Sequence, residues 1–149
     1  MTTDPPIVCD MTDAPDTPEE RLAEYHQLFA DALVGRERGD DGIRFRFRAD
    51  DIVEQHVRDL AAREKACCAF FTFTVTRTAD EVRWDATVID DPIARQILDE
   101  FYRLPETVHD GVAALWDTFA AQGLTVVTGE DGVRRPATAA DLGITPATP

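Results

Sequence analysis

Apolar and polar positions divide this chain into short segments with distinct periods. Ile43-Arg44-Phe45-Arg46-Phe47-Arg48 alternates apolar and basic residues without a break. That period of two predicts a half-buried strand with its arginines on the outer side. Phe70 to Arg77 is rich in β-branched and aromatic residues. After a tight turn at Ala79-Asp80, Val82, Trp84, Ala86 and Val88 alternate with Arg83, Asp85 and Thr87. These two stretches predict a hairpin. Ile7 to Met11 and Leu124 to Val127 read as further short strands.

Helical spacing fills the gaps. Thr17-Pro18-Glu19-Glu20 is a capping box with proline at the first helical position. It predicts a helix to about Gly35 with Leu22, Tyr25, Leu28, Phe29, Ala32 and Leu33 on one face. Gly39 to Gly42 is a turn cluster. A second helix opens at Ala49 or Asp50, turns Ile52, Val57, Leu60 and Ala61 inward, and runs into the cysteines. A third begins near Pro92 with Ile93, Ile97, Leu98 and Phe101 on its face, and Pro105 interrupts it. A fourth carries Val108, Val112, Leu115, Trp116 and Phe119 and stops at Gly123.

The expected order is therefore β-α-β-α-β-β-α-α. Strands with one polar face imply an α+β two-layer sandwich, a mixed four-stranded sheet with helices on a single face. Residues 1–6 read as a loose tail, 7–128 as one α+β domain, and 129–149 as an irregular tail rich in Gly, Pro, Thr and Ala. No internal repeat is visible.

Composition narrows the partners. The 149 residues carry 29 acidic against 15 basic side chains, a formal net charge of −14, and Lys65 is the only lysine. Such a balance fits a halophilic protein, the favoured reading, and also a GC-rich genome. It argues against nucleic acid and anionic membranes as partners, since those affinities rest on neutralising phosphates. No apolar run is long enough to span a bilayer, and no signal peptide is visible at Met1 to Pro6. The expectation is a cytoplasmic protein, where three cysteines read as reduced thiols or metal ligands rather than a disulfide framework.

The chemistry concentrates at Cys67-Cys68, with Cys9 as the third thiol. Thiolates select soft ions such as Hg(II), Cu(I), Zn(II) or As(III). Neighbouring side chains diverge on a regular strand or helix. The pair therefore converges only if the helix-to-strand junction bends; otherwise one thiol faces Cys9 and the other packs in the core. Glu64 and His56 are candidate supporting ligands, because His56, Leu60 and Glu64 share one helical stripe leading to the cysteines. A helix C-terminus disfavours a thiolate, so a positive charge must come from elsewhere. Paired C-x-x-C knuckles are absent, against a structural zinc staple.

Glu64-x-x-Cys67-Cys68-x-Phe70-x-x-Phe73, preceded by the Arg-Phe strand and by Cys9, resembles a family of small prokaryotic proteins of unassigned function. That family is associated with heavy-metal-responsive regulators and resistance loci. The resemblance covers roughly residues 7–104 and implies soft-metal chemistry on Cys9, Cys67 and Cys68. The portion from Pro105 falls outside it. Adjacent cysteines also resemble the paired thiols with which mercuric reductases hand over mercury.

Other classes leave fainter marks. The chain contains no serine, which excludes a serine triad, and no Gly-rich phosphate loop, so no nucleotide cofactor is expected. Cys67 with His56 would be the kit of a thiol enzyme, and an enzyme is the less favoured class. Arg44, Arg46 and Arg48, with Arg83, form a face that fits an anion, an acidic protein surface, a homodimer interface or a solvated ladder of local ion pairs. The expected function is soft metal or metalloid binding for sequestration, sensing or an accessory role. The alternative is a non-catalytic protein-interaction domain whose cysteines are core.

Overall fold

The computed structural model describes residues 14–40, 42–121, 123–128, 134–137 and 141. The strand expected at Ile7–Met11 lies outside the described residues, as does Cys9. Helix α1 spans Pro18–Ala32, and strands β1 and β2 span Leu33–Arg38 and Ile43–Arg48. Helix α2 spans Asp51–Cys67, followed by β3 at Phe71–Arg77 and β4 at Glu81–Val88. Helix α3 runs Pro92–Thr107, a 3-10 turn covers Val108–Asp110, and α4 runs Val112–Ala121. Two short strands, β5 at Val126–Thr128 and β6 at Arg134–Pro136, follow.

The α+β reading with a four-stranded sheet holds, but the fourth strand is not the expected one. The order β1-β2-β4-β3 is antiparallel throughout rather than mixed. The strand at Leu33–Arg38 replaces what the helical pattern assigned to the end of α1. Arg38 pairs with Ile43 and Leu33 with Phe47 across the glycine turn, with an irregularity between Leu33 and Gly35. Gly39 N–H donates to Gly42 O at 2.8 Å, and a Cβ on Gly42 would collide with the Ala86 carbonyl. Up to β4 the elements repeat as helix–strand–strand, although no sequence repeat announces it.

Caps fix the helix starts. Thr17 and Glu20 close the capping box with bonds of 3.1 Å in each direction. The Asp50 carboxylate accepts from Ile52 and Val53 at 2.8 and 3.1 Å, and Asp91 from Ile93 and Ala94 at 2.8 and 3.0 Å. Such caps contribute about 1 kcal/mol each. Ile52, expected to face inward, is 79% exposed, and Val53 takes the buried position. Pro105 does not end α3 but lies inside it. The tail expected to be irregular contributes β6, and Ala137 N–H donates to Thr125 O at 2.8 Å.

The core lies between the sheet and the helices. Phe45, Phe47, Val82 and Trp84 are fully buried from the sheet. Tyr25 of α1 stacks on Trp84 at 6.1 Å between ring centroids, while Phe101 of α3 meets Phe45 at 5.2 Å and Trp84 at 5.4 Å. The opposite sheet face is an ion-pair ladder. Arg44 holds Asp85, its partner in register, at 2.6 Å. Arg46 and Arg83 stand directly opposite one another, a repulsive pairing. Glu81 offsets it by pairing with Arg83 at 2.6 Å and Arg46 at 3.4 Å. Among the described residues no helix is long and apolar enough to cross a membrane.

Phe45→Ala is expected to cost about 3–5 kcal/mol in urea unfolding. Ile52→Glu is expected to stay within about 0.5 kcal/mol of the parent, which chemical denaturation of the two variants side by side checks.

Candidate functional site

Helix α2 ends on the cysteines. Cys67 is its last residue and Cys68 its cap, with φ −124° and ψ 76° and its N–H bonded to Glu64 O at 2.8 Å. Phe71 N–H then donates to Cys68 O at 3.0 Å, and β3 begins. The backbone therefore leaves helical geometry at the second cysteine. Both adjacent cysteines line one cavity, although neighbours on a regular element would diverge. They are 6% and 5% exposed, respectively.

The cavity measures about 110 Å³ and lies among α1, the end of α2, β3, α3 and α4. Its wall is mostly apolar, with Phe71, Phe73, Phe101, Trp116 and Phe119 supplying rings. Pro18, Val112 and Leu115 line it as half-buried residues, so it runs outward between α1 and α4. Its polar groups cluster at the cysteine end around Arg21, Glu64 and the thiols. Glu100 of α3 also lines it, 4% exposed and ion-paired with Arg103 at 3.4 Å.

Arg21 organises that end. It is 4% exposed and spends its whole fork on neighbours. Nε and Nη2 donate to the two Asp16 carboxylate oxygens at 2.8 and 2.6 Å. Nη1 donates to Glu64 Oε1 at 3.1 Å and reaches Cys67 Sγ at 3.4 Å. Burial alone would lower the Arg21 pKa, but Asp16, Glu64 and Cys67 together hold it above its ordinary value. The guanidinium therefore stays charged and supplies the positive charge that a thiolate at a helix C-terminus lacks. Lys65, also in the last turn, is otherwise engaged: its Nζ donates to Ala69 O and Phe71 O at 2.8 and 2.6 Å.

The two acids beside Arg21 respond in opposite directions. The Arg21 hydrogen bonds hold the Asp16 carboxyl below its usual range. Burial pushes Glu64 up, with Arg21 opposing it. The Glu64 side chain keeps 19% of its surface and lines the cavity, so it is enclosed but not sealed. Burial also raises the Tyr25 hydroxyl, which lies near Glu64 without a well-formed hydrogen bond among the described residues.

Further charged side chains pack around this group. Arg63 bonds Asp16 at 3.0 Å and Glu24 at 2.9 and 2.7 Å, and His56 Nε2 meets Glu24 Oε1 at 2.6 Å. His56, a candidate ligand by sequence, belongs to this outer cluster. It is eleven positions from Cys67 on α2, about 16 Å along the axis, and does not line the cavity. Glu64, the other candidate, does stand beside the thiols but is held by Arg21. Among the described residues, no three His, Cys, Asp or Glu side chains gather as a metal cluster. Arg21 and Asp16 escaped the sequence reading. An arginine between Glu20 and Leu22 looks like an exposed helix position, and Glu64 lies 43 positions away.

Comparison with family models, with curated proteins and with solved structures gives no match for this chain.

Arg21→Ala leaves the enclosed Glu64 carboxylate without its cation and Asp16 with Arg63 alone, and is expected to cost about 3 kcal/mol, read by urea unfolding. The depressed Asp16 pKa stabilises the fold above its unfolded value of ~4. That contribution is lost as pH falls through the folded pKa, whereas Glu64, whose pKa is raised, works in the opposite sense. Asp16→Asn should therefore flatten the fall in Tm below about pH 4. A Tm–pH curve parallel to the parent's would contradict this.

Proposed function

We propose that the protein binds a soft metal or metalloid through the thiols of Cys67 and Cys68. The observation that carries the reading is that both adjacent cysteines line one cavity, with Arg21 Nη1 at 3.4 Å from Cys67 Sγ. Two thiolates suit a soft ion that accepts two sulfur ligands, such as Hg(II) or Cu(I), better than Zn(II), which ordinarily takes four ligands in a structural site. Arg21 lowers the cost of ionising a thiol before the ion arrives. Glu64, enclosed and linked to the same guanidinium, can accept a proton that a thiol releases. Cys9, outside the described residues, remains a third candidate ligand on sequence grounds. The role that follows is sequestration, sensing or accessory transfer.

A second reading has its own observation. Cys67 and Cys68 belong to the buried core, as cysteines acting as small hydrophobes would. In that case the protein is a non-catalytic interaction domain.

Native mass spectrometry of the reduced chain with Hg(II), Cu(I), As(III) or Zn(II) separates them. The expected result is one Hg(II) or Cu(I) per chain, weaker Zn(II), and loss of binding in the Cys67→Ser/Cys68→Ser double variant. Cys9→Ser reports the third ligand. Binding unchanged in the double variant, or thiols that neither bind nor alkylate until the chain unfolds, would overturn the metal assignment.

A further inference from the structure

We infer that the preferred occupant of this cavity is a trivalent arsenical carrying one apolar organic group, R–As(OH)2, with R the size of a phenyl ring. The inference rests on the thiol reading above and adds the ligand class.

Donor count comes first. Inorganic arsenite has three exchangeable hydroxyls and is satisfied by three thiols. A monosubstituted arsenical has two, and the cavity offers two thiols on consecutive residues, Cys67 and Cys68. The exchange balances without an oxidant or reductant. Each thiol gives its proton to a leaving hydroxide, two As–O bonds break, two As–S bonds form, and two waters depart. Arsenic stays trivalent and the R–As bond is untouched. The product, R–As(S–Cys67)(S–Cys68), is neutral, which suits an enclosed apolar site better than an ionic one.

The rest of the cavity accounts for R. Beyond the thiols the wall is hydrocarbon and aromatic, with Phe71, Phe73, Phe101, Leu104 and Trp116 among its lining. Its enclosed volume of about 110 Å³ is below the ~150 Å³ of an engineered apolar cavity that takes up benzene, so the ring extends from the cysteine end toward the half-buried opening at Pro18, Val112 and Leu115. A bare hydrated ion uses none of this surface. A single ring does, and the edge-to-face packing already present at Phe71–Phe101 and Phe73–Phe101, with interplanar angles of 89° and 81°, shows that rings pack well along this wall. Charge supplies the selectivity. Glu64 and Glu100 both line the cavity, and its one lining cation among the described residues, Arg21, is already spent on Asp16 and Glu64, so a carboxylate on R would be desolvated without a partner and is disfavoured.

The test uses the full reduced chain and three probes that all react with dithiols: phenylarsine oxide, its methyl counterpart, and 4-carboxyphenylarsine oxide. Affinities are measured by competition with a small dithiol, in native buffer and in guanidinium-unfolded protein. The native chain should bind the phenyl compound roughly ten- to a hundredfold more tightly than the methyl compound. The unfolded chain should show little of that preference, and the carboxyl group should cancel it. Val112→Phe, which narrows the half-buried rim without touching a thiol, should lower phenyl affinity and spare methyl. The probe series needs no variant and decides the matter even if Val112→Phe fails to fold. Equal native affinity for phenyl and methyl overturns this inference while the thiol site stands. Failure of all three probes to bind native protein, with uptake only after unfolding, removes the thiol site as well.

Discussion

The buried guanidinium of Arg21 is the constraint on which the site depends. An arginine 4% exposed is tolerated only where its charge is answered and its donors are filled. Here the answer comes from two elements at once, Asp16 ahead of α1 and Glu64 near the end of α2. The arginine therefore ties the start of one helix to the end of another, and the end of α2 is where the cysteines stand. Arg63 repeats the tie one layer out through Asp16 and Glu24. The same group that holds the helices together thus sets the electrostatics at Cys67.

That arrangement bears on two constraints set by residue spacing. Adjacent cysteines on a regular element diverge, but Cys68 is a cap residue with φ −124° and ψ 76°, and both cysteines are among the residues that line the cavity. A helix C-terminus resists a thiolate, but the opposing positive charge comes from α1 rather than from a bound ion. Aromatic side chains from the sheet, α3 and α4 enclose the rest of the volume. The outcome is a polar end, where the cysteines stand, joined to an apolar chamber, and the proposed occupant with a soft centre and a hydrocarbon body is drawn from that contrast.

The legible parts of the fold are those where one local rule acts alone. Strict alternation identified Ile43–Arg48 and the Val82–Val88 strand, the capping box at Thr17 located the start of α1, and helical spacing put the starts of α2 and α3 near Asp50 and Pro92, where the structure shows caps at Asp50 and Asp91. Leu33–Arg38 was read otherwise because Leu33 continues the helical face of α1 and Arg36, Glu37 and Arg38 show no alternation. That strand exists because Ile43–Arg48 offers a ladder across the glycine turn, a tertiary effect. Ile52 and Val53 exchanged roles because one position of helical phase separates them. Of the site, the cysteine pair and Glu64 were visible in the chain. Arg21 and Asp16 were not, since a charged residue beside an apolar stripe carries no local sign of burial. His56 shares the helical stripe of Glu64, but rise along the axis carries it to the outer charge cluster.

The most direct measurement of the central claim is Hg L3-edge X-ray absorption on the one-to-one complex of reduced protein with Hg(II), repeated on Cys9→Ser and on Cys67→Ser/Cys68→Ser. The account predicts sulfur neighbours from Cys67 and Cys68 that persist in Cys9→Ser and vanish in the double variant. A first shell of nitrogen and oxygen, or a sulfur shell that survives loss of both adjacent cysteines, would contradict it.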